Sequence, residues 1–192
     1  MCGATLISDY WLITAAHCVD GDLPDVGLSV PAFSYVNLGT LAPSSGDQGD
    51  KYFLSHITIH DQWSGSGVVG YDIAALKTQA QITLNHDVYP ACLPKQTECF
   101  RATSEVWISG YGAESYQGSN AATLQGVMLD IRTHSDCTGV YGALAAATLC
   151  AGGGQAGGLD SCQGDSGGPM AALSEDAWYL YIVVLLKCHI FG

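Results

Sequence analysis

Positive charge is scarce in this chain. Lys and Arg together number 6 among 192 residues, against 18 Asp and Glu, a formal net charge of −12. Without a basic stripe to neutralise phosphates, nucleic acid is excluded as a partner, and an anionic membrane surface would repel the chain. Charged residues of either sign reach only 12 %, about half the norm of roughly 25 %. That excludes a coiled coil and a solvated, disordered chain. Long apolar runs are missing too: the longest, Leu180 to Leu186, is far too short to cross a bilayer. The opening residues Met1 to Ile7 have no basic segment, no extended apolar core and no small-residue cleavage site, so they do not read as a secretion signal. Asn-x-Ser/Thr acceptors, Cys-x-x-Cys pairs and calcium loops are also absent. No metal and no cofactor are expected.

Glycine and cysteine are plentiful. The 24 glycines favour many tight turns and a β-rich fold. Hydrophobic residues make up 48 %, enough for a sizeable core. The eight cysteines (Cys2, Cys18, Cys92, Cys99, Cys137, Cys150, Cys162 and Cys188) are scattered through an enzyme-sized chain, which points to disulfides and an oxidising, extracellular setting.

Short apolar segments separated by turn formers predict strands. Thr5 to Ile7 and Trp11 to Thr14 flank Ser8-Asp9, and His17 follows the second at a strand end. Further strands are expected at Tyr35–Gly39, Tyr52–His60, Asp72–Leu76, Val106–Ser109, Gly126–Ile131, Pro169–Leu173 and Trp178–Leu186. Tyr52–His60 alternates well enough for a strand, with His56, Thr58 and His60 on one face and Ile57 and Ile59 on the other. Thr133–Cys137 suggests a helical turn, and Pro43–Asp50 and Ala151–Gly158 read as loops. The pattern is all-β, a barrel or sandwich in a single domain. His56 and His60 lack a third ligand and read as surface residues, and the four tryptophans as core or rim.

Three segments carry chemistry: Thr14-Ala15-Ala16-His17-Cys18, Tyr71-Asp72-Ile73-Ala74-Ala75-Leu76, and Asp160-Ser161-Cys162-Gln163-Gly164-Asp165-Ser166-Gly167-Gly168-Pro169. A serine hydroxyl needs a base before it attacks. An imidazole supplies one near neutral pH, and a buried carboxylate fixes its tautomer. Glycines around a serine let backbone N–H groups turn toward a developing oxyanion. Gly164-Asp165-Ser166-Gly167-Gly168 also fits the nucleophile elbow of α/β-hydrolases, but those place the acid and His after Ser. After Ser166 the tail that holds Asp176 and His189 is too short for that fold, whereas His17, Asp72, Ser166 is the His–Asp–Ser order.

On these motifs, in this order, the chain resembles a trypsin-like serine protease domain of the chymotrypsin fold, from Cys2-Gly3 to about Tyr181. The resemblance implies two antiparallel six-stranded β-barrels. It implies His17 as general base, Asp72 as its orienter and Ser166 as nucleophile, with the Gly164 and Ser166 N–H groups as oxyanion hole. Asp160, six residues before Ser166, would lie at the bottom of the specificity pocket and favour cleavage after Arg or Lys. The implied disulfides are Cys2–Cys18, Cys137–Cys150 and Cys162–Cys188. Val106 and Ala172 stand where a further bridge is usual, and Cys92 and Cys99 are free or paired with each other. The implied partners are protein or peptide substrates and serpin-type or other protease inhibitors, and the implied location is extracellular.

The chain departs from the family pattern at both ends. It starts beyond the first barrel strand, and Val184, Leu185 and Leu186 replace the usual Ser-Trp-Gly. The C-terminal helix is not expected, so residues 1–192 read as one partial domain. Asp165, which pairs with a new N-terminus in the family, is expected to have no evident partner. The alternative reading is a catalytically impaired homologue or fragment that serves as a protein-binding module.

Overall fold

Alternating burial along short strands produces two antiparallel sheets. They are seen in a computed structural model that describes residues 2–22, 34–42, 46, 49–66, 70–94, 105–115, 117–145, 148–152, 163–174 and 176–183. The first sheet has the order β1-β2-β5-β4-β3, and the second β10-β9-β6-β7-β8. This is the expected all-β arrangement of the chymotrypsin type, with five described strands in each half.

In the first sheet, β1 (Thr5–Leu6) and β2 (Trp11–Thr14) form a hairpin, β2 pairs with β5 (Ala74–Thr78), and β4 (Asp50–Ile59) lies between β5 and β3 (Tyr35–Leu38). The period of two is strict around β5: Asp72, Ala74, Leu76 and Thr78 are buried while Ile73 is exposed. The same phase that sends Leu76 into the core therefore sends the Asp72 carboxylate inward. Leu6, Leu12, Leu54, Leu76, Ile82 and Val88 form this half's core. Strand β4 departs from simple alternation. A bulge between Leu54 and His56 resets the faces, so Leu54 is buried and Ile57, three residues on, also packs on the core. His56, Thr58 and His60 then face outward, as the alternation predicted.

The second sheet comprises β6 (Glu105–Gly110), β7 (Gln125–Ile131), β8 (Ala151–Gly152), β9 (Pro169–Ser174) and β10 (Ala177–Val183). Val106, Ile108, Leu129, Ile131 and Met170 form its core, with Ala172 packed against them. The pairing of Trp107 with Ala171 brings Val106 beside Ala172. An apolar contact thus occupies the place of the missing bridge. The expected helical turn is a full helix, α1 (His134–Tyr141). Thr133 caps it by accepting from the Asp136 N–H, while Asp136 accepts from the Thr133 N–H.

Two expected disulfides are formed, Cys2–Cys18 and Cys137–Cys150. Cys92 is an exposed free thiol. Cys99, Cys162, Cys188 and Asp160 lie outside the described residues, as do Val184 to Leu186. The tryptophans sit at the rim rather than in the core. Trp107 and Trp178 are exposed, and Trp11 and Trp63 are half-buried.

Candidate active site

The register of β2 with β5 ends at Thr14 opposite Ala74. Three residues beyond Thr14 and two before Ala74 stand His17 and Asp72, so adjacent strand ends bring them together. The turn Ala16–Cys18 is a single 3₁₀ turn, and it places both the backbone and the ring of His17 against one carboxylate. Asp72 Oδ1 accepts from the His17 N–H at 2.8 Å, and Asp72 Oδ2 accepts from His17 Nδ1–H at 2.6 Å. The Asp72 side chain is 2 % exposed and that of His17 35 %. A carboxylate that already accepts the backbone N–H acts as an acceptor toward the ring as well, and this puts the imidazole proton on Nδ1. Nε2 is left with its lone pair, 3.7 Å from Cys18 Sγ. That sulfur is held in the bridge to Cys2, so the grouping of Cys2, Cys18 and His17 offers no thiolates to a metal.

The Asp72 hydrogen bond, the attraction of Asp72 and a smaller attraction from Asp20 raise the His17 pKa above the ordinary 6.5, against an opposing effect of burial. The protonated ring is favoured in the folded state. Its contribution to stability is therefore fully present below pH 6.5 and fades as pH rises through the higher folded value. An NMR titration of the His17 Cε1 proton is expected to give a midpoint above 6.5 that falls in Asp72→Asn. A midpoint at or below 6.5 would contradict the pairing.

The serine loop reaches the same place from the second sheet. Asp165 to Gly168 form a tight turn closed by the Gly168 N–H donating to Asp165 O at 2.9 Å. Its third residue, Gly167, has φ of 79°, which marks a type II turn and calls for glycine. Ser166, half-buried, occupies the corner of the turn. Gly3 stitches this loop to the first sheet: its N–H donates to Ser166 O at 2.7 Å, and its own O accepts from Thr14 Oγ1 at 2.8 Å. The approach is close, since a Cβ on Gly3 would stand 2.6 Å from Gly168 Cα. A Cβ on Gly167 would lie 3.2 Å from Cys18 Sγ, the sulfur beside His17 Nε2. Among the described residues no hydrogen bond joins Ser166 Oγ to His17. Such bonds are often long in free enzymes and tighten with substrate. Gly164 adopts φ of 107°, and among the described residues neither its N–H nor that of Ser166 donates to another backbone group.

One expectation is corrected here. Asp165 does have a partner: its Oδ1 accepts from the Gly112 N–H at 2.8 Å. Side chains at Gly110 or Gly112 would collide with this carboxylate, so two glycines make room for it. A hydrogen bond from Trp63 Nε1–H to Asp20 Oδ2 at 3.1 Å spans 43 positions, and no sequence pattern announces it.

Fold and site together define an all-β scaffold that carries a carboxylate-backed imidazole and a glycine-turned serine. A family model described as Trypsin matches residues 1–188. The chain is 34 % identical over 186 residues to trypsin-1 of Astacus astacus, covering 95 % of this chain and 75 % of that protein. It is 31 % identical over 183 residues to coagulation factor XI of Bos taurus, covering 94 % of this chain but only 28 % of that protein. The chain belongs to the trypsin family, the trypsin-like serine proteases.

Proposed function

We propose that this chain is a serine endopeptidase that cleaves after Arg or Lys, with His17, Asp72 and Ser166 as its triad. The observation that carries the reading is the two-point grip of Asp72 on His17. It fixes the tautomer whose Nε2 can take a proton. Ser166 Oγ attacks the peptide carbonyl as its proton passes to His17 Nε2. The oxyanion accepts hydrogen bonds from the Gly164 and Ser166 N–H groups. Collapse breaks the C–N bond, and the leaving amine takes the proton from His17. Water, deprotonated by His17, then attacks the acyl group on Ser166 and releases the acid and the serine hydroxyl. Asp72 stabilises the imidazolium without becoming protonated.

Asp160 is the residue proposed to receive the Arg or Lys side chain. The proposed location is extracellular, in keeping with two disulfides. Protein substrates and serpin-type inhibitors are the proposed partners. Among the described residues no helix is long and apolar enough to cross a membrane.

Intact mass after fluorophosphonate treatment tests the reading. One adduct is expected on the wild type and none on Ser166→Ala. A folded wild type that stays unlabelled would overturn it in favour of the impaired, protein-binding homologue.

A further inference from the structure

Beside the imidazole stands a rim that the proposed chemistry does not use. Asp20 opens a 3₁₀ turn, Asp20–Asp22, directly after the His17 turn. It is exposed, yet it is not free to swing, because Trp63 Nε1–H holds its Oδ2 at 3.1 Å. Among the described residues no hydrogen bond occupies its other oxygen, Oδ1. Trp63 is itself fixed by a turn in which its N–H donates to His60 O at 3.0 Å, and the His60 N–H donates to Ile73 O at 3.1 Å, one residue past Asp72. The His60 ring stacks on Tyr71 with centroids 4.8 Å apart. Tyr71 adopts φ of 61°, a left-handed conformation that is rare for an aromatic residue, and it remains 41 % exposed. Strain of this kind persists where surrounding structure enforces it and clusters at functional sites. The Asp20 carboxylate also acts on the charge of His17, so it lies within electrostatic reach of the reacting groups.

A carboxylate held by an indole N–H, whose other oxygen accepts no hydrogen bond from the described residues, suits a guanidinium or ammonium group by ion pairing. We propose that Asp20, positioned by Trp63, is a specificity-determining residue that receives an Arg or Lys side chain next to the residue cleaved. This rests on the endopeptidase reading but concerns a different substrate residue from the one assigned to Asp160.

The test is done in the Ser166→Ala background, so that binding is measured without turnover. Peptides carry Arg at the cleaved position and either Arg or Glu at one flanking position at a time. Kd is followed by calorimetry. About fivefold tighter binding of the Arg peptide is expected at one flanking position, the size of an exposed ion pair, and it shrinks in high salt. Asp20→Asn should bring the ratio below about twofold. Trp63→Phe, which keeps the ring but frees the carboxylate, should lower it partway. A ratio unchanged in Asp20→Asn, or no Arg preference at the start, overturns the inference. So does failure of every peptide to bind the folded protein. Fluorophosphonate labelling of the native chain reports separately whether the endopeptidase reading stands.

Discussion

Asp72→Asn is expected to lower kcat by about 10⁴-fold, the loss known for this substitution in serine proteases with this triad, while leaving the fold intact. The geometry here says why. Oδ1 of Asp72 accepts a backbone N–H and Oδ2 accepts the ring N–H of His17. An asparagine has one acceptor and one donor end. If its oxygen keeps the fixed His17 N–H, its NH₂ faces Nδ1 and demands a lone pair there. The ring proton moves to Nε2, the atom that must take the Ser166 proton. The general base is then already protonated. Turnover of an arginyl peptide anilide, with a thermal melt to confirm folding, checks this. A loss under about tenfold would mean that Asp72 does not orient the base.

Gly167→Ala is expected to cost about 2–5 kcal/mol of stability, combining a disfavoured backbone with an overpacked site. The residue has φ of 79°, and an added Cβ would collide with Thr14 Oγ1 and stand 2.5 Å from Gly3 O. These are fixed atoms between the two sheets, not the ends of flexible side chains. For a chain of this size the melting temperature should fall by roughly 5–15 °C. Activity should fall with it, since the same turn carries Ser166. Gly126→Ala is the control: it lies in β7 without positive φ, and a Cβ there meets Trp107 at an ordinary 3.7 Å. Its melting temperature should change little. A Gly167→Ala melt within about 2 °C of wild type would show that the turn is not built as described.

The places of the three residues proposed as the triad were legible because the signals around them are local. His17 follows the end of one strand, Asp72 precedes another in phase with Ala74 and Leu76, and Ser166 sits among glycines. The length of α1 was missed because its cap lies in a Thr133–Asp136 reciprocity rather than in an apolar stripe. The reach of β4 was also missed: Asp50 and Lys51 look like loop residues but pair with Leu38 and Asn37. Edge pairing tolerates polar residues because only their backbone is used.

Composition, cysteine usage and the order His17, Asp72, Ser166 determined the all-β class, the expectation of disulfides and the family resemblance, since each rests on residue type and order along the chain. Only the tertiary structure decided what crosses between distant segments. Gly3 joins Ser166 to Thr14, Gly112 supplies the donor for Asp165, and Trp63 holds Asp20 beside His17. Such contacts depend on how segments far apart in the chain pack together. A hydrogen bond constrains atoms a few ångströms apart in space and leaves no periodic trace in sequence.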